Sequence, residues 1–409
     1  MSPAVIKNTF RICHPVDIHT NFRRISSAGS IQTILKQSKV LKEIYIDNYK
    51  TFVNFRLELN SFQLFLGENG SGKSSIFEVL ALLQDVMAGA DVGETFDENT
   101  LTRWYNNKAQ KFELVMEIDD ESYHYTLLID RRRQGDRIIT VIKHEELRWN
   151  NKQFYLFDGN DVHLFRINRN TSELEVGTSF PGDWRRSILA QIGERGDNVP
   201  VIRFRNELSN YTTVHPIPFL MSQRVKSGTP YLGRYGENFA DWFYFLLLDS
   251  QGISRKADIF LKEILIDYQY LSFKGPGIER RLHADFDGYA FDFSELSEGQ
   301  RQLIFLYTLL AYMRDDKQEK TSSFFIDEPD NFVTLREIDP WWNEMNEICE
   351  TPGKQVILIS HHPTVVDRMG HDKALWFSRP EGKHTIVKPY TVTDGLTPAE
   401  TMERGWNNE

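Results

Sequence analysis

Apolar and polar residues alternate over 41–46, 55–59 and 62–66, with Asn48, Asn54 and Asn60 near the gaps. A period of two predicts strands, here two in a hairpin and a third that is buried. Directly after the third, Ile76, Val79, Leu80 and Leu83 recur at helical spacing, so a glycine-rich segment joins a strand to a helix. Alternation resumes across 111–180, broken by turn clusters at Asp119-Asp120, 134–136 and 158–160, which predicts an antiparallel sheet. Residues 184–270 read as mostly helical, with 239–248 apolar nearly all round and therefore buried. A strand pair near 281–286 and 289–293 leads into Ser294. No internal repeat or heptad run long enough for a coiled coil is visible.

Composition adds boundaries. With 409 residues, 40% of them hydrophobic and 26% charged, the chain should be globular, as one elaborated domain or two ordinary ones. The longest strongly apolar run, 242–248, is far shorter than the ~20 residues of a membrane span, so no membrane association is expected. Two cysteines, Cys13 and Cys349, and the lack of an apolar signal core point to a reducing, cytoplasmic setting. The net charge of −10 is unevenly spread, because residues 1–40 carry +5 and the remainder −15. A protein this acidic does not coat nucleic acid indiscriminately, and the basic arm is where such a contact would first be sought.

Four motifs carry chemistry. Gly67-x-x-x-x-Gly72-Lys73-Ser74, between a buried strand and a helix, is a complete phosphate-binding loop. Its backbone N–H groups form a concave anion site, Lys73 reaches the β- and γ-phosphates, and the Ser74 hydroxyl can ligate Mg²⁺. A short apolar strand at 323–327 ends in Asp327 and Glu328. Asp327 would hold Mg²⁺, and Glu328 would polarise the attacking water. Leu296-Ser297-Glu298-Gly299-Gln300 opens a helix with Leu303, Leu306, Tyr307 and Leu310 on one face, a second anion-binding helix start that also has the form of an ordinary N-cap. A last buried strand, 355–359, ends in Ser360, His361 and His362; His361 is the candidate γ-phosphate sensor and His362 the alternative.

In this order the four motifs resemble the ABC-type ATPase head, and more closely its SMC, RecF and OLD branch, whose first strand and loop are similar to residues 44–52 here. The resemblance covers about 41–378. It implies an α/β P-loop NTPase of two lobes, a mixed sheet with an antiparallel subdomain plus a helical lobe. The chain then divides into a basic extension at 1–40, a first ATPase lobe at 41–180, a mostly helical lobe at 181–290, and 291–409 carrying the signature, acidic strand and switch histidine. The resemblance further implies ATP and Mg²⁺ as ligands, with Asn69, Gly70, Ser71, Gly72, Lys73, Ser74 and Ser75 as phosphate cradle and Ser74 and Asp327 on the metal. Glu328 becomes the catalytic base and His361 the switch. Ser297, Gly299 and Gln300 would contact nucleotide across a homodimer, and Lys50 and Thr51 would lie near the base.

The sequence departs from that pattern in three places. Glu298 stands where glycine or aspartate is usual, and the stretch between Asn331 and Pro340 reads as longer than the usual short loop. No glutamine is placed as the lid on the metal site, since Gln110, Gln134 and Gln153 all lie in the sheet region. The long coiled-coil insertion of chromosome-organising members is not seen, and the ~40 residues after the last motif strand are too few for an appended nuclease. The leading expectation is a stand-alone ATPase that dimerises on ATP and controls a separately encoded effector in defence against phage. The alternatives are a RecF-like DNA-repair ATPase, with Arg131, Arg132 and Arg133 in a solvated hairpin turn facing DNA, and a nuclease using Asp136, Glu145 and Glu146. Those three acids read as solvated strand or turn residues.

Overall fold

The computed structural model describes residues 39–404, apart from 169–170, 172, 276–278, 316–322 and 352. Of the basic extension expected over 1–40, only Lys39 and Val40 lie within the described residues. The chain opens with β1 (Lys39–Asp47), β2 (Phe55–Glu58), β3 (Phe62–Gly67), α1 (Lys73–Met87) and α2 (Val92–Thr95). Then come β4 (Gln110–Ile118), β5 (Glu121–Gln134), β6 (Arg137–Trp149), β7 (Lys152–Phe157), β8 (Asp161–Ile167) and β9 (Leu174–Pro181). The middle holds α3 (Val199–Ser209), β10 (Thr212–Val214), β11 (Arg224–Val225), α4 (Phe239–Asp249), α5 (Gln251–Ile264), β12 (Tyr268–Lys274), β13 (Arg280–Phe286) and β14 (Tyr289–Asp292). It closes with α6 (Glu298–Met313), β15 (Ser323–Asp327), α7 (Leu335–Glu350), β16 (Gln355–Ile359), α8 (Pro363–Met369), β17 (Ala374–Ser378), β18 (Ile386–Pro389) and α9 (Pro398–Glu403).

A six-stranded sheet in the order β10-β15-β16-β3-β17-β18 forms the centre; its first five strands are parallel. Parallel strands covered on both faces have no solvated side, so β3, β15 and β16 are buried at every position. Alternation within them separates two cores. Leu64, Leu66, Phe324, Ile326, Val356 and Leu358 face one way, onto α4 to α8. Phe65, Phe325, Ile357 and Ile359 face the other, onto α1 and the antiparallel sheet. Buried Ile76, Val79, Leu80 and Leu83 fix α1 against this second face.

The antiparallel sheet runs β2-β1-β4-β5-β6-β7-β8-β9, as the alternation at 41–59 and 111–180 predicts. It is joined to the central sheet through Gln355, whose side chain pairs with both the N–H and the C=O of Leu41 in β1. Three expectations for charged residues here are overturned. Arg131 is not at a solvated tip; it is buried in β5, and its guanidinium donates to the carbonyls of Phe96, Asp97 and Lys108 and to Gln110 Oε1. Glu145 is not solvated but fully buried, accepting from the hydroxyls of Tyr125, Tyr155 and Ser187 at 2.7–2.8 Å. Glu146 is half-buried and bonded to Arg148 and Gln153. Asp136 lies in the exposed β5–β6 turn as expected.

The middle of the chain is less helical than its composition suggests. Residues 212–214 are an edge strand of the central sheet, and 212–238 is otherwise largely irregular. The loop after the acidic strand is also shorter than the sequence suggests. A capping box between Thr334 and Glu337 starts α7 at Leu335, and Pro340 lies inside that helix, not at its boundary.

Candidate nucleotide-binding site

The five parallel strands deliver polar residues to a single carboxyl edge, the position where open α/β sheets bind ligands. β3 runs into the phosphate loop, β15 into Asp327 and Glu328, β16 into Ser360 and His361, β10 into His215 and β17 into Arg379. Residues almost three hundred positions apart thereby meet.

The loop's path requires glycine at its two ends. Gly67 has φ +134°, and a Cβ there would fall 2.0 Å from the Phe377 carbonyl oxygen. Gly72, at φ +101°, would place a Cβ 2.8 Å from Thr385 Oγ1 and 2.9 Å from Thr51 Oγ1. Thr385 Oγ1 is 2.8 Å from both Thr51 Oγ1 and the Ser71 carbonyl, so these threonines buttress the loop from beneath. Asn69, Gly70 and Ser74 are exposed, Ser75 is half-buried, and Ser71 and Gly72 are buried.

Lys73 is buried, and its ammonium donates to the loop's own carbonyls, Gly67 O at 2.6 Å and Glu68 O at 2.9 Å. Burial pulls its pKa down to about 8, opposed by the charges of Asp327, Glu328 and Glu68. Asp327 is 2% exposed, and its Oδ1 has no hydrogen-bond partner. Its Oδ2 lies 3.4 Å from His215 Nδ1, within ion-pair range but without good hydrogen-bond geometry. The Asp327 carboxylate raises the His215 pKa above its ordinary value against the opposing effect of burial. Glu328 occupies a left-handed conformation at φ 49°, held by its N–H to Ile359 O and by Asn331 Nδ2 on its carboxylate at 2.8 Å.

The two histidines after β16 divide their roles. His362 caps α8, its Nδ1 accepting from the Thr364 N–H. His361 Nε2 is buried without a partner, and burial, then the Lys73 charge, pushes its pKa below the ordinary value. An orphaned carboxylate oxygen and an orphaned imidazole nitrogen next to a buried ammonium are what a metal–triphosphate group would satisfy, so the donor set fits that ligand. Ser74 and Asp327 are the residues that could hold the metal.

The remaining predicted site residues lie in less committed settings. Ser297 and Gln300 bond each other in a reciprocal capping box at the exposed start of α6. A Cβ on Gly299 would come 2.8 Å from Phe332 O. Lys50 pairs with Glu78, and its N–H donates to Thr100 O. None of the three glutamines considered for the metal lid stands at the carboxyl edge: Gln110 is buried in β4 on Asn48 O and Arg131, Gln134 ends β5 and Gln153 lies in β7. His215 occupies the edge beside Asp327 and was not singled out from the sequence. Its signal was a β-branched run, Thr212-Thr213-Val214, ending on a polar residue before Pro216, a weaker copy of the strand-then-polar pattern in the other motifs.

Among the described residues no helix is long and apolar enough to cross a membrane. Over 102 residues the chain is 28% identical to the DNA replication and repair protein RecF of Glaesserella parasuis serovar 5 (strain SH0165), covering 25% of this chain and 26% of that one. A stretch of the same length is 34% identical to the DNA double-strand break repair Rad50 ATPase of Methanocaldococcus jannaschii, covering 25% of this chain and 10% of that protein. The match thus spans about a quarter of the RecF relative's length. A solved Smc head bound to the C-winged helix domain of ScpA is 13% identical with a TM-score of 0.49, covering 89% of this chain and 99% of that one. Residues 64–367 match the family described as AAA domain, putative AbiEii toxin, Type IV TA system. That span runs from the phosphate-loop strand past His361, and the chain belongs to this family, as an ABC-type ATPase of the SMC- and RecF-like branch.

Proposed function

We propose that the protein binds ATP with Mg²⁺ and hydrolyses it slowly. In this reading it pairs with a second copy, so that each nucleotide lies between the phosphate loop of one subunit and the Ser297–Gln300 helix start of the other. The observation that carries the reading is the unpartnered Oδ1 of buried Asp327, grouped with the Lys73 ammonium, Glu328 and His361 at one sheet edge.

On binding, Lys73 would exchange the carbonyls of Gly67 and Glu68 for phosphate oxygens. Ser74 Oγ and Asp327 would hold the metal, which when bound neutralises charge on the β- and γ-phosphates. Glu328 would orient a water and accept its proton while the water oxygen bonds to the γ-phosphorus and the bond to the ADP oxygen breaks. His361, close to its neutral form, would hydrogen-bond the γ-phosphate. His215 would hold the Asp327 carboxylate in place.

A persistent ATP-bound pair suits a switch, and we place that switch over a separately encoded effector in defence against phage, in keeping with the toxin–antitoxin wording of the family description. The RecF match favours a second reading, a DNA-directed repair ATPase. Arg131 could not serve it, being buried, whereas Arg132 and Arg133 are exposed. Salt-sensitive DNA binding lost in Arg132→Ala/Arg133→Ala would support that second reading.

Phosphate release tests the enzymatic core. Wild type should release phosphate from ATP, and Glu328→Gln should keep ATP affinity but slow release by about 100-fold or more. Equal release by the two proteins would contradict the assigned base.

A further inference from the structure

Trp104 is an indole left 48% exposed on the rim of the nucleotide site. It is held in position. Thr102 donates its N–H to Asn48 Oδ1 and its hydroxyl to Phe52 O, and the Tyr105 N–H closes the turn onto Thr102 O. The ring therefore projects from a turn fastened to the 48–52 loop.

Arg379, directly after β17, lies over this ring with its guanidinium carbon 5.0 Å from the centroid. The same guanidinium donates to Gly382 O at 2.6 Å, to Lys383 O at 2.8 Å and to Gly70 O of the phosphate loop at 3.3 Å. It is a planar cation pinned by three carbonyls, with indole on one side and the phosphate loop at its edge. Around Gly70 the space is open, since a Cβ there would meet nothing within 4 Å. Lys50 and Thr51, on the neighbouring loop, already have Glu78 and Thr385 as partners.

We infer that Trp104 and Arg379 form the wall on which the base of a bound purine nucleoside triphosphate stacks, so that the site reads the base as well as the phosphates. This rests on the nucleotide reading given above. A stacking wall is tolerant of hydrogen-bond pattern, so it favours the larger purine ring over a pyrimidine without separating adenine from guanine.

Calorimetric titration of the full chain with MgATP and with Mg-tripolyphosphate tests it, because tripolyphosphate has the phosphates and no base. Wild type should bind ATP more tightly than tripolyphosphate. Trp104→Ala should lose about tenfold in ATP affinity and none for tripolyphosphate, and Trp104→Phe should recover most of the loss. An unchanged ATP affinity in Trp104→Ala, or an equal fall for both ligands, would overturn the inference. So would an unchanged affinity combined with loss of ATP-induced dimerisation, which would make Trp104 a subunit contact. If wild type binds neither ligand, or Lys73→Ala binds both as wild type does, the nucleotide reading itself fails; that outcome is distinct from a base-specific null.

Discussion

Glu145 and Asp327 are both buried almost completely, yet their surroundings differ. Glu145, in β6, has three hydroxyls on its two oxygens and no cation among them. Asp327, at the end of β15, has an oxygen with no partner, a histidine at ion-pair distance and a buried ammonium near by. Burial alone therefore does not mark a working group. Glu145 is a finished network that fastens residue 187 to the antiparallel sheet, whereas Asp327 retains capacity for a ligand.

The largest expected effect lies on the Asp327 side. Lys73→Ala should weaken ATP binding by about 100-fold or more, since charge-assisted contacts to phosphate have no substitute there. Calorimetry measures it, and near-normal affinity would mean that the 67–74 loop does not hold the phosphates. Next, Glu145→Ala should cost about 3 kcal/mol in urea unfolding, because three buried hydroxyls lose their acceptor, while ATP affinity stays unchanged. Asp327→Asn should do the reverse, costing at most about 1 kcal/mol of stability because its Oδ1 has no hydrogen bond to lose and a buried charge is removed, while the Mg²⁺ dependence of ATP binding disappears. If both variants behaved alike, the contrast between the two carboxylates would collapse.

The smallest effect is on pH. Desolvation raises the Glu145 pKa, with the three hydroxyls opposing the shift. A carboxyl raised on folding contributes stability that is full below the ordinary glutamate pKa and lost as pH rises through the folded value. Wild type should therefore lose stability relative to Glu145→Gln across that window, and parallel stability curves for the two would show that Glu145 titrates normally.

The same contrast explains what could be read in the sequence. The strand before the phosphate loop, the strand ending in Asp327 and the strand before His361 were legible because each joins a short apolar run to a polar end, a pattern set by local spacing. His215 follows the same rule, but its strand is only three residues long. Arg131 and Glu145 were misread because alternation shows only that a side chain faces one side of a strand. Whether carbonyls and hydroxyls from 96–110 or 187 cover it depends on distant packing. The loop before Pro340 was read as long because nothing in 332–339 shows that the Thr334–Glu337 capping box starts α7 at Leu335, with Pro340 in its second turn at the loss of one i→i−4 bond.

Light scattering of Glu328→Gln, with and without MgATP, decides whether two copies pair head to tail on the nucleotide. The mass should double from monomer to dimer on adding nucleotide, and Ser297→Arg, which would obstruct the α6 start, should abolish that change. A mass that stays monomeric with saturating MgATP would contradict that pairing.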